Sequence, residues 1–211
     1  MSGPPMNSNS NVMQPANFAF TPENRAEADR FIAKYPAGRQ ASAVLPLLYI
    51  AQRQEGWVSR AAMDHVAEIL DMAPIRVYEV ATFYTMFHLA PVGKYHLQVC
   101  RTTPCWLRGA DQMTETCRKK LGIGLGETTK DGLFSLVEVE CLGACVNAPV
   151  VQINDDFYED LDPRRLEWLL DELAAGRKPA FGSQTGRQGS APDGGPITLK
   201  DISRPGGAPA E

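Results

Sequence analysis

Four cysteines stand in two pairs near the middle of the chain. The first pair is Cys100-x4-Cys105 and the second is Cys141-x3-Cys145, and each pair lies where a strand-like segment gives way to a loop. Two such loops side by side can bring four thiolates to one site, which is the ligand set of an iron–sulfur cluster. The spacing therefore favours a cluster held by Cys100, Cys105, Cys141 and Cys145.

Other uses of these cysteines remain open on spacing alone. Zinc also accepts four thiolates, although structural zinc sites favour tight C-x2-C spacings, which neither pair has. A thioredoxin-type redox pair needs the same C-x2-C spacing. Disulfides are disfavoured in a reducing cytosol, and the chain has an odd number of cysteines, five.

The residues around the two pairs suit an anionic group. Thr103 as N-cap and Pro104 at the first helical position would place Cys105 in the first turn of a helix, where backbone N–H groups favour negative charge. The loop 141–149 contains a glycine and two alanines besides its cysteines. Such small residues let backbone amides approach sulfur, and these hydrogen bonds tune a reduction potential.

The remaining cysteine and the histidines are interpreted as bystanders. Cys117 falls within a predicted helix, far in spacing from either pair. His96 could approach the site from a strand end, but a Rieske-type centre needs two histidines close to its cysteines. His65 and His88 fall in the helical half, where packing or surface roles are the default. The predicted ligand set therefore consists of cysteines alone.

Composition excludes several function classes. The net charge of −4 over 211 residues argues against non-specific nucleic-acid binding. The longest apolar stretches are too short to span a membrane. No basic residue precedes Arg25 and no apolar run precedes it either, so neither a secretory signal nor a transit peptide is predicted. We expect a cytosolic protein that reaches a membrane only through partners.

The chain divides into four predicted segments. Residues 1–16 are rich in Ser, Asn, Pro and Gly without charge, and predict a disordered leader. Apolar residues at helical spacing over 17–90 predict a small helical bundle. Residues 91–175 predict a β-α-β-β-α unit with helices packed on a small sheet. Glycine and proline recur over 176–211 with few large apolar residues, which predicts a disordered tail.

Local signals place several elements within these segments. Helices are predicted to start at Thr21-Pro22, Ser59, Pro74 and Asp162-Pro163. One long helix is predicted over 103–121, and strands are predicted over 95–100, 135–141 and 150–153. An aromatic run, Phe83, Tyr84, Met86 and Phe87, closes the helical segment. We interpret it as core, with a docking surface as the alternative.

Three stretches of the chain read VCRTTPC at 99–105, GETT at 126–129 and VECLGACVNAP at 139–149. They resemble the thioredoxin-like [2Fe–2S] subunit family of respiratory complex I, an NADH:quinone oxidoreductase. The similarity continues through QIN at 152–154 and Tyr158, and through VYEVATFY at 77–84 in the helical half. It covers about 17–172 of the chain.

The resemblance implies an α+β protein whose helical bundle precedes a thioredoxin-like ferredoxin domain. By the family pattern Cys100, Cys105, Cys141 and Cys145 bind one [2Fe–2S] cluster, which exchanges single electrons with FMN on a neighbouring NADH-binding subunit. It also implies contact with other subunits of the peripheral arm, on the cytoplasmic side of a bacterial inner membrane. This chain has no G-x-G-x-x-G after a strand, so we expect it to bind no dinucleotide itself.

Other functions remain as alternatives. The same module occurs in NAD-dependent formate dehydrogenases and hydrogenases, which co-purifying subunits would distinguish from complex I. A zinc-stabilised interaction module would be colourless and contain zinc in place of iron and sulfide. A thiol–disulfide oxidoreductase would reduce disulfides, although the chain lacks the C-x2-C pair which that chemistry uses.

Overall fold

The computed structural model describes residues 12–192, 194 and 198, and the chain divides after Val92 into two compact units. The predicted disordered leader falls mainly on residues 1–11, which lie outside the described residues. The end of the predicted tail, from 199 onward, lies outside them as well. Among the described residues no helix is both long and apolar enough to cross a membrane.

The first unit is built of α-helices. They are α1 Pro22–Ile32, α2 Val44–Glu55, α3 Arg60–Leu70 and α4 Pro74–Phe83, with a short 3-10 helix Gln40–Ala43 before α2. The side chains of Thr21 and Ser59 cap α1 and α3 by accepting hydrogen bonds from the backbone N–H groups of Asn24 and Ala62. Burial of Leu47 and Leu48 places α2 at the centre of this unit's core.

The aromatic run at the end of α4 is split between core and surface. Phe87 is buried, as predicted, whereas Phe83 is 76% exposed and Tyr84 is 36% exposed. Because α4 ends at Phe83 and Tyr84 is extended, the side chains beyond Phe83 no longer follow helical spacing. The core interpretation is therefore right for Phe87 and wrong for Phe83.

The second unit is an α+β domain around one mixed sheet, which confirms the predicted fold class. Its strands are β1 Tyr95–Cys100, β2 Glu127–Thr128, β3 Phe134–Val139, β4 Val151–Ile153, β5 Asp156–Glu159 and β6 Gly182–Ser183, in the order β2-β3-β1-β4-β5-β6. Strand β1 is parallel to β3 and antiparallel to β4. A short helix, α5 Thr103–Leu107, follows β1. Helices α6 Ala110–Leu121 and α7 Pro163–Ala174 share one apolar core with the sheet.

The prediction of one long helix over 103–121 is wrong, because the helix is interrupted at Gly109. Helix α5 ends at Leu107, and Gly109 adopts a φ of +96° before α6 begins. This left-handed conformation costs an L-residue free energy that glycine avoids. The N-cap of α5 is Thr102, one residue earlier than predicted, yet Cys105 still lies in the first helical turn.

The structure also differs from the predicted disorder of the tail. Strand β6 pairs in parallel with β5, where Tyr158 lies opposite Gly182 and Glu159 lies opposite Ser183. Strands β2, β5 and β6 have four residues or fewer, too few for a recognisable alternation of apolar and polar residues. Backbone pairing rather than apolar burial orders this part of the tail, so composition does not reveal it.

Replacing Gly93 with alanine should destabilise the second unit. A β-carbon at Gly93 would lie 2.7 Å from the carbonyl carbon of Phe134 and 2.9 Å from the backbone nitrogen of Ser135. We expect Gly93→Ala to lower the free energy of unfolding by about 1–3 kcal/mol, as overpacking does, measured by denaturant titration. Gly124→Ala is the control, since its nearest atom is the flexible carboxylate end of Glu127 at 3.3 Å. Equal midpoints for both variants would contradict the prediction.

Candidate metal centre

The sheet brings the two cysteine pairs to one edge. Strands β1 and β3 are parallel, and Cys100 at the end of β1 lies opposite Val139 at the end of β3. The backbone N–H of Arg101 bonds to the carbonyl oxygen of Val139 at 3.1 Å, so pairing continues to the strand ends. Because parallel strands end at the same edge, the loops carrying Cys105 and Cys141 start side by side.

The first pair is buried in a small apolar cluster. Cys100 and Cys105 are each 2% exposed, and Ala110, Ala148 and Val150 complete the buried cluster. Helix α5 has only five residues, so Cys105 depends on nearby individual groups more than on a long helix dipole. An apolar surrounding of this kind limits the access of solvent to a metal centre.

The second pair lies at the surface. The Sγ atoms of Cys141 and Cys145 are 3.4 Å apart, and the backbone N–H of Gly143 donates to Cys141 Sγ at 3.3 Å. Gly143 has a φ of +86°, a conformation that L-residues rarely adopt. Cys141 is exposed and Cys145 is half-buried at the start of a 3-10 turn, Cys145–Asn147. The loop thus turns an amide toward sulfur, as its small residues predicted.

Electrostatic interactions join the two pairs. Burial raises the pKa of Cys105 to about 12, and its hydrogen bond with Cys100 and negative charge on Cys100 and Cys145 act in the same direction. The pKa of Cys145 is raised by its hydrogen bond with Cys141, by burial, and by negative charge on Cys141 and Cys100. Thiolates at these positions therefore repel one another, and a bound cation would relieve the repulsion.

Hydrogen bonds favour the thiolate of Cys100. Burial opposes ionisation, but the Thr102 hydroxyl, 3.2 Å from Cys100 Sγ, and the backbone N–H groups of Leu142 and Thr102 outweigh it, so the pKa lies below its ordinary value. Leu142 belongs to the second loop, so one loop donates a hydrogen bond to the sulfur of the other. Such bonds are among the means by which a protein tunes the potential of an iron–sulfur cluster.

The arrangement fits a binuclear cluster better than a single zinc ion. Cys141 Sγ and Cys145 Sγ are 3.4 Å apart, and Cys100 and Cys105 are joined by a hydrogen bond. The thiols form two pairs, whereas structural zinc needs four ligands around one centre. A [2Fe–2S] cluster has two irons and takes two protein ligands on each. The four cysteines therefore have the chemistry and the grouping that such a cluster requires.

Cys117 belongs to a different buried cluster from Cys100, and His65 belongs to the first unit. Cys117 is fully buried in α6 and belongs to the main apolar core of the second unit, not to the cluster around Cys100. Burial raises the pKa of its thiol to about 12. His65 packs edge-on against Phe18 and Phe20 in the first unit. His96 is buried within β1.

Sequence reasoning missed two polar residues beside the cysteines. Thr102 precedes the predicted helix start and has no predicted role, yet its hydroxyl contacts Cys100 Sγ. Asn147 is 4% exposed, and its side-chain amide donates to Glu159 and to the carbonyl oxygen of Gly189. A buried asparagine in a loop of small residues is a weak sequence signal, because its partners lie in distant segments.

Comparison with known proteins identifies the family of the chain. Residues 28–174 match the family model described as thioredoxin-like [2Fe-2S] ferredoxin. The E subunit of NADH-quinone oxidoreductase from Rickettsia bellii (strain RML369-C) is 60% identical over 158 residues, 74% of this chain and 95% of the relative. The E 1 subunit of NADH-quinone oxidoreductase from Rhizobium meliloti (strain 1021) is 53% identical over 192 residues, 90% of this chain and 70% of the relative.

A solved structure shares the fold. The NAD+-reducing [NiFe]-hydrogenase in its air-oxidized state aligns with a TM-score of 0.57 at 20% identity. The alignment covers 63% of this chain and 23% of the hydrogenase chain. At this identity the likeness establishes the fold alone.

The thiol of Cys117 should resist alkylation. With a pKa of about 12, on the order of one thiol in 10,000 is ionised at pH 8, and the side chain is fully buried. We expect iodoacetamide to leave Cys117 unmodified in the folded protein and to modify it completely in denaturant, as read by peptide mass spectrometry. Raising the pH toward 12 should increase its rate of reaction. Equal rates in folded and denatured protein would contradict this assignment.

Proposed function

The chain belongs to the thioredoxin-like [2Fe–2S] ferredoxin family, and we propose that it is the electron-transfer subunit of an NADH–quinone oxidoreductase. In this proposal Cys100, Cys105, Cys141 and Cys145 hold its one [2Fe–2S] cluster. The observation that carries it is the grouping of these thiols into two interacting pairs at one sheet edge. Identity of 60% to the Rickettsia bellii relative, over 95% of that relative, supports the assignment.

The chain's own residues bind the cluster and control its surroundings. When bound, the cluster supplies one-electron redox chemistry. Cys100 and Cys105 hold it from the buried side, where the apolar neighbours exclude water. Cys141 holds it from the surface, so this side offers the shorter route to an external donor or acceptor. The role requires binding, shielding and access, and no acid–base residue.

We further assign the flavin and NADH sites to a neighbouring subunit. The cluster would exchange single electrons with FMN there, while other subunits of the peripheral arm complete the path to quinone. Strand β1 is followed by the cysteine loop and no glycine-rich dinucleotide motif, which is consistent with a carrier role for this chain. The proposed location is the cytoplasmic face of a bacterial inner membrane, with the chain peripheral through its complex.

The helical unit offers an aromatic surface for docking. Phe83, the last residue of α4, and Tyr84 are exposed with their rings 5.0 Å apart in an edge-on arrangement. Exposed aromatic residues are enriched at the centres of protein–protein interfaces. We therefore propose that residues 17–90 contact the flavin-bearing subunit through this end of α4.

A second candidate is the equivalent subunit of an NAD-linked hydrogenase or formate dehydrogenase. The hydrogenase likeness favours it in fold, but the 53–60% identical relatives carry the name of the E subunit of NADH-quinone oxidoreductase. Purification of the complex separates the two: membrane proton pumps would accompany the chain in the first case, and a soluble nickel or molybdenum enzyme in the second. A zinc-binding module is disfavoured by the paired thiols.

Serine substitutions should test the ligand set. We expect Cys100→Ser, Cys105→Ser, Cys141→Ser or Cys145→Ser to reduce the iron and acid-labile sulfide of the protein and to weaken or alter its visible absorption and electron paramagnetic resonance (EPR) signal. Serine replaces a thiolate by a poorer iron ligand. Cys117→Ser is the matched control and should retain two irons and two sulfides, as [2Fe–2S] stoichiometry requires. An unchanged chromophore in any of the first four variants would remove that residue from the proposal.

A charge on the aromatic surface should block assembly without unfolding the chain. Phe83→Asp alters a side chain that is 76% exposed, so we expect an unchanged circular dichroism spectrum and full cluster content. Co-purification with the flavin-bearing subunit should fall at least several-fold, because a carboxylate buried in an interface loses its hydration. Phe181→Asp, at a 67% exposed phenylalanine of the second unit, is the matched control. Assembly of Phe83→Asp at the control level would reject this docking surface.

A further inference from the structure

The segment 182–191 lies beyond the stretch that matches the family model, which ends at 174, and the proposed function does not use it. Strand β6 attaches the segment to the sheet through β5, and the backbone N–H of Gln184 bonds to the carbonyl oxygen of Glu159 at 2.9 Å. The chain then runs on to residues that contact the second cysteine loop.

Arg187 forms the main attachment after β6. Its side chain is 13% exposed and that of its partner Asp160 is 11% exposed. The pairing is bidentate, with Nε 3.1 Å from Asp160 Oδ2 and Nη2 2.8 Å from Asp160 Oδ1. The Ser183 hydroxyl donates to the same carboxylate at 2.6 Å. Planar, bidentate pairing of this kind suits a guanidinium and not an ammonium group.

The same guanidinium group also contacts the turn Cys145–Asn147. Arg187 Nη2 lies 2.7 Å from the carbonyl oxygen of Val146 and 2.5 Å from Asn147 Oδ1, so its two N–H groups are shared among these acceptors and Asp160 Oδ1. The Asn147 amide in turn donates to the carbonyl oxygen of Gly189 at 3.0 Å, and the backbone N–H of Asp160 bonds to the Asn147 carbonyl oxygen at 2.7 Å. The residues just after Cys145 are therefore held by the tail and by the end of β5 together.

We propose that Arg187 is a positioning residue for the cluster: through Val146 and Asn147 it holds the turn Cys145–Asn147, and so keeps Cys145 beside Cys141. The inference rests on the proposed ligand role of Cys145. Residues that orient metal ligands from behind contribute strongly to metal retention. Arg187 and Asp160 neutralise each other, so the effect on the cluster is one of geometry. Release of the turn would let Cys145 move away and expose the centre to solvent.

The test compares two arginines of the tail in the cluster-loaded, full-length protein. Arg187→Gln removes the guanidinium group that pairs with Asp160. Arg177→Gln is the matched control, since Arg177 is 63% exposed and pairs with Glu172. Loss of the visible absorption in excess EDTA should be about 10-fold faster in Arg187→Gln than in the unmodified protein, in line with the effect of residues behind metal ligands. Arg177→Gln should lose its cluster at the unmodified rate.

EPR spectra of the reduced proteins separate positioning from general stability. A turn that has moved changes the surroundings of the iron bound by Cys145, so Arg187→Gln should show a shifted spectrum, whereas weaker tail anchoring alone would leave the spectrum unchanged. Arg187→Lys keeps the positive charge but lacks the bidentate guanidinium group. Its rate of cluster loss and the shift of its EPR spectrum should lie between those of Arg187→Gln and the unmodified protein. If Arg187→Gln does not fold, Arg187→Lys alone tests the positioning role of Arg187.

The proposal fails if Arg187→Gln, or Arg187→Lys where the glutamine variant does not fold, retains the unmodified rate of cluster loss or the unmodified EPR spectrum. It also fails if Arg177→Gln shows an equal effect. These outcomes differ from failure of the proposed function, which would appear as an absence of iron and acid-labile sulfide from the unmodified protein itself.

Discussion

Parallel pairing of β1 with β3 places two loops at one edge of the sheet, and each loop carries part of the cysteine set. The register opposes Cys100 to Val139, so a shift of one residue would turn Cys100 toward the other face of the sheet. Parallel strands need a crossover connection, which α5 and α6 provide between them. Sulfurs that are distant along the chain thus become neighbours through a backbone pairing that involves no cysteine side chain.

The candidate centre is asymmetric in its burial. Cys100 and Cys105 lie in an apolar cluster, whereas Cys141 is exposed. Burial alone would disfavour thiolates, and the compensation comes from the Thr102 hydroxyl and from backbone N–H groups, including that of Leu142 in the opposite loop. A centre built in this way combines shelter from water with an accessible side. Both are properties that an electron carrier between protein subunits needs.

Part of the tail is ordered by pairing with strand β5, and this pairing needs little burial of apolar surface. Strand β6 is two residues long, and the contacts after it are polar: a bidentate ion pair, a serine hydroxyl and bonds to backbone carbonyl oxygens. Asp160 and Arg187 are both largely buried, so each would be left with an unpaired buried charge if the other were lost. The tail and the second cysteine loop therefore share their anchoring residues.

Residue types and their spacing along the chain are enough to specify many of the local elements and the chemical type of the site. Caps at Thr21, Ser59 and Asp162 and the apolar stripe of α7 depend on neighbours within one turn, and the paired spacing of the cysteines is visible along the chain. Which loops meet and how Arg187 attaches to Asp160 are properties of the tertiary structure. Such features depend on distant partners, 41 residues away in the contact between Arg187 and Val146, and no local pattern of residue types encodes a partner of that kind.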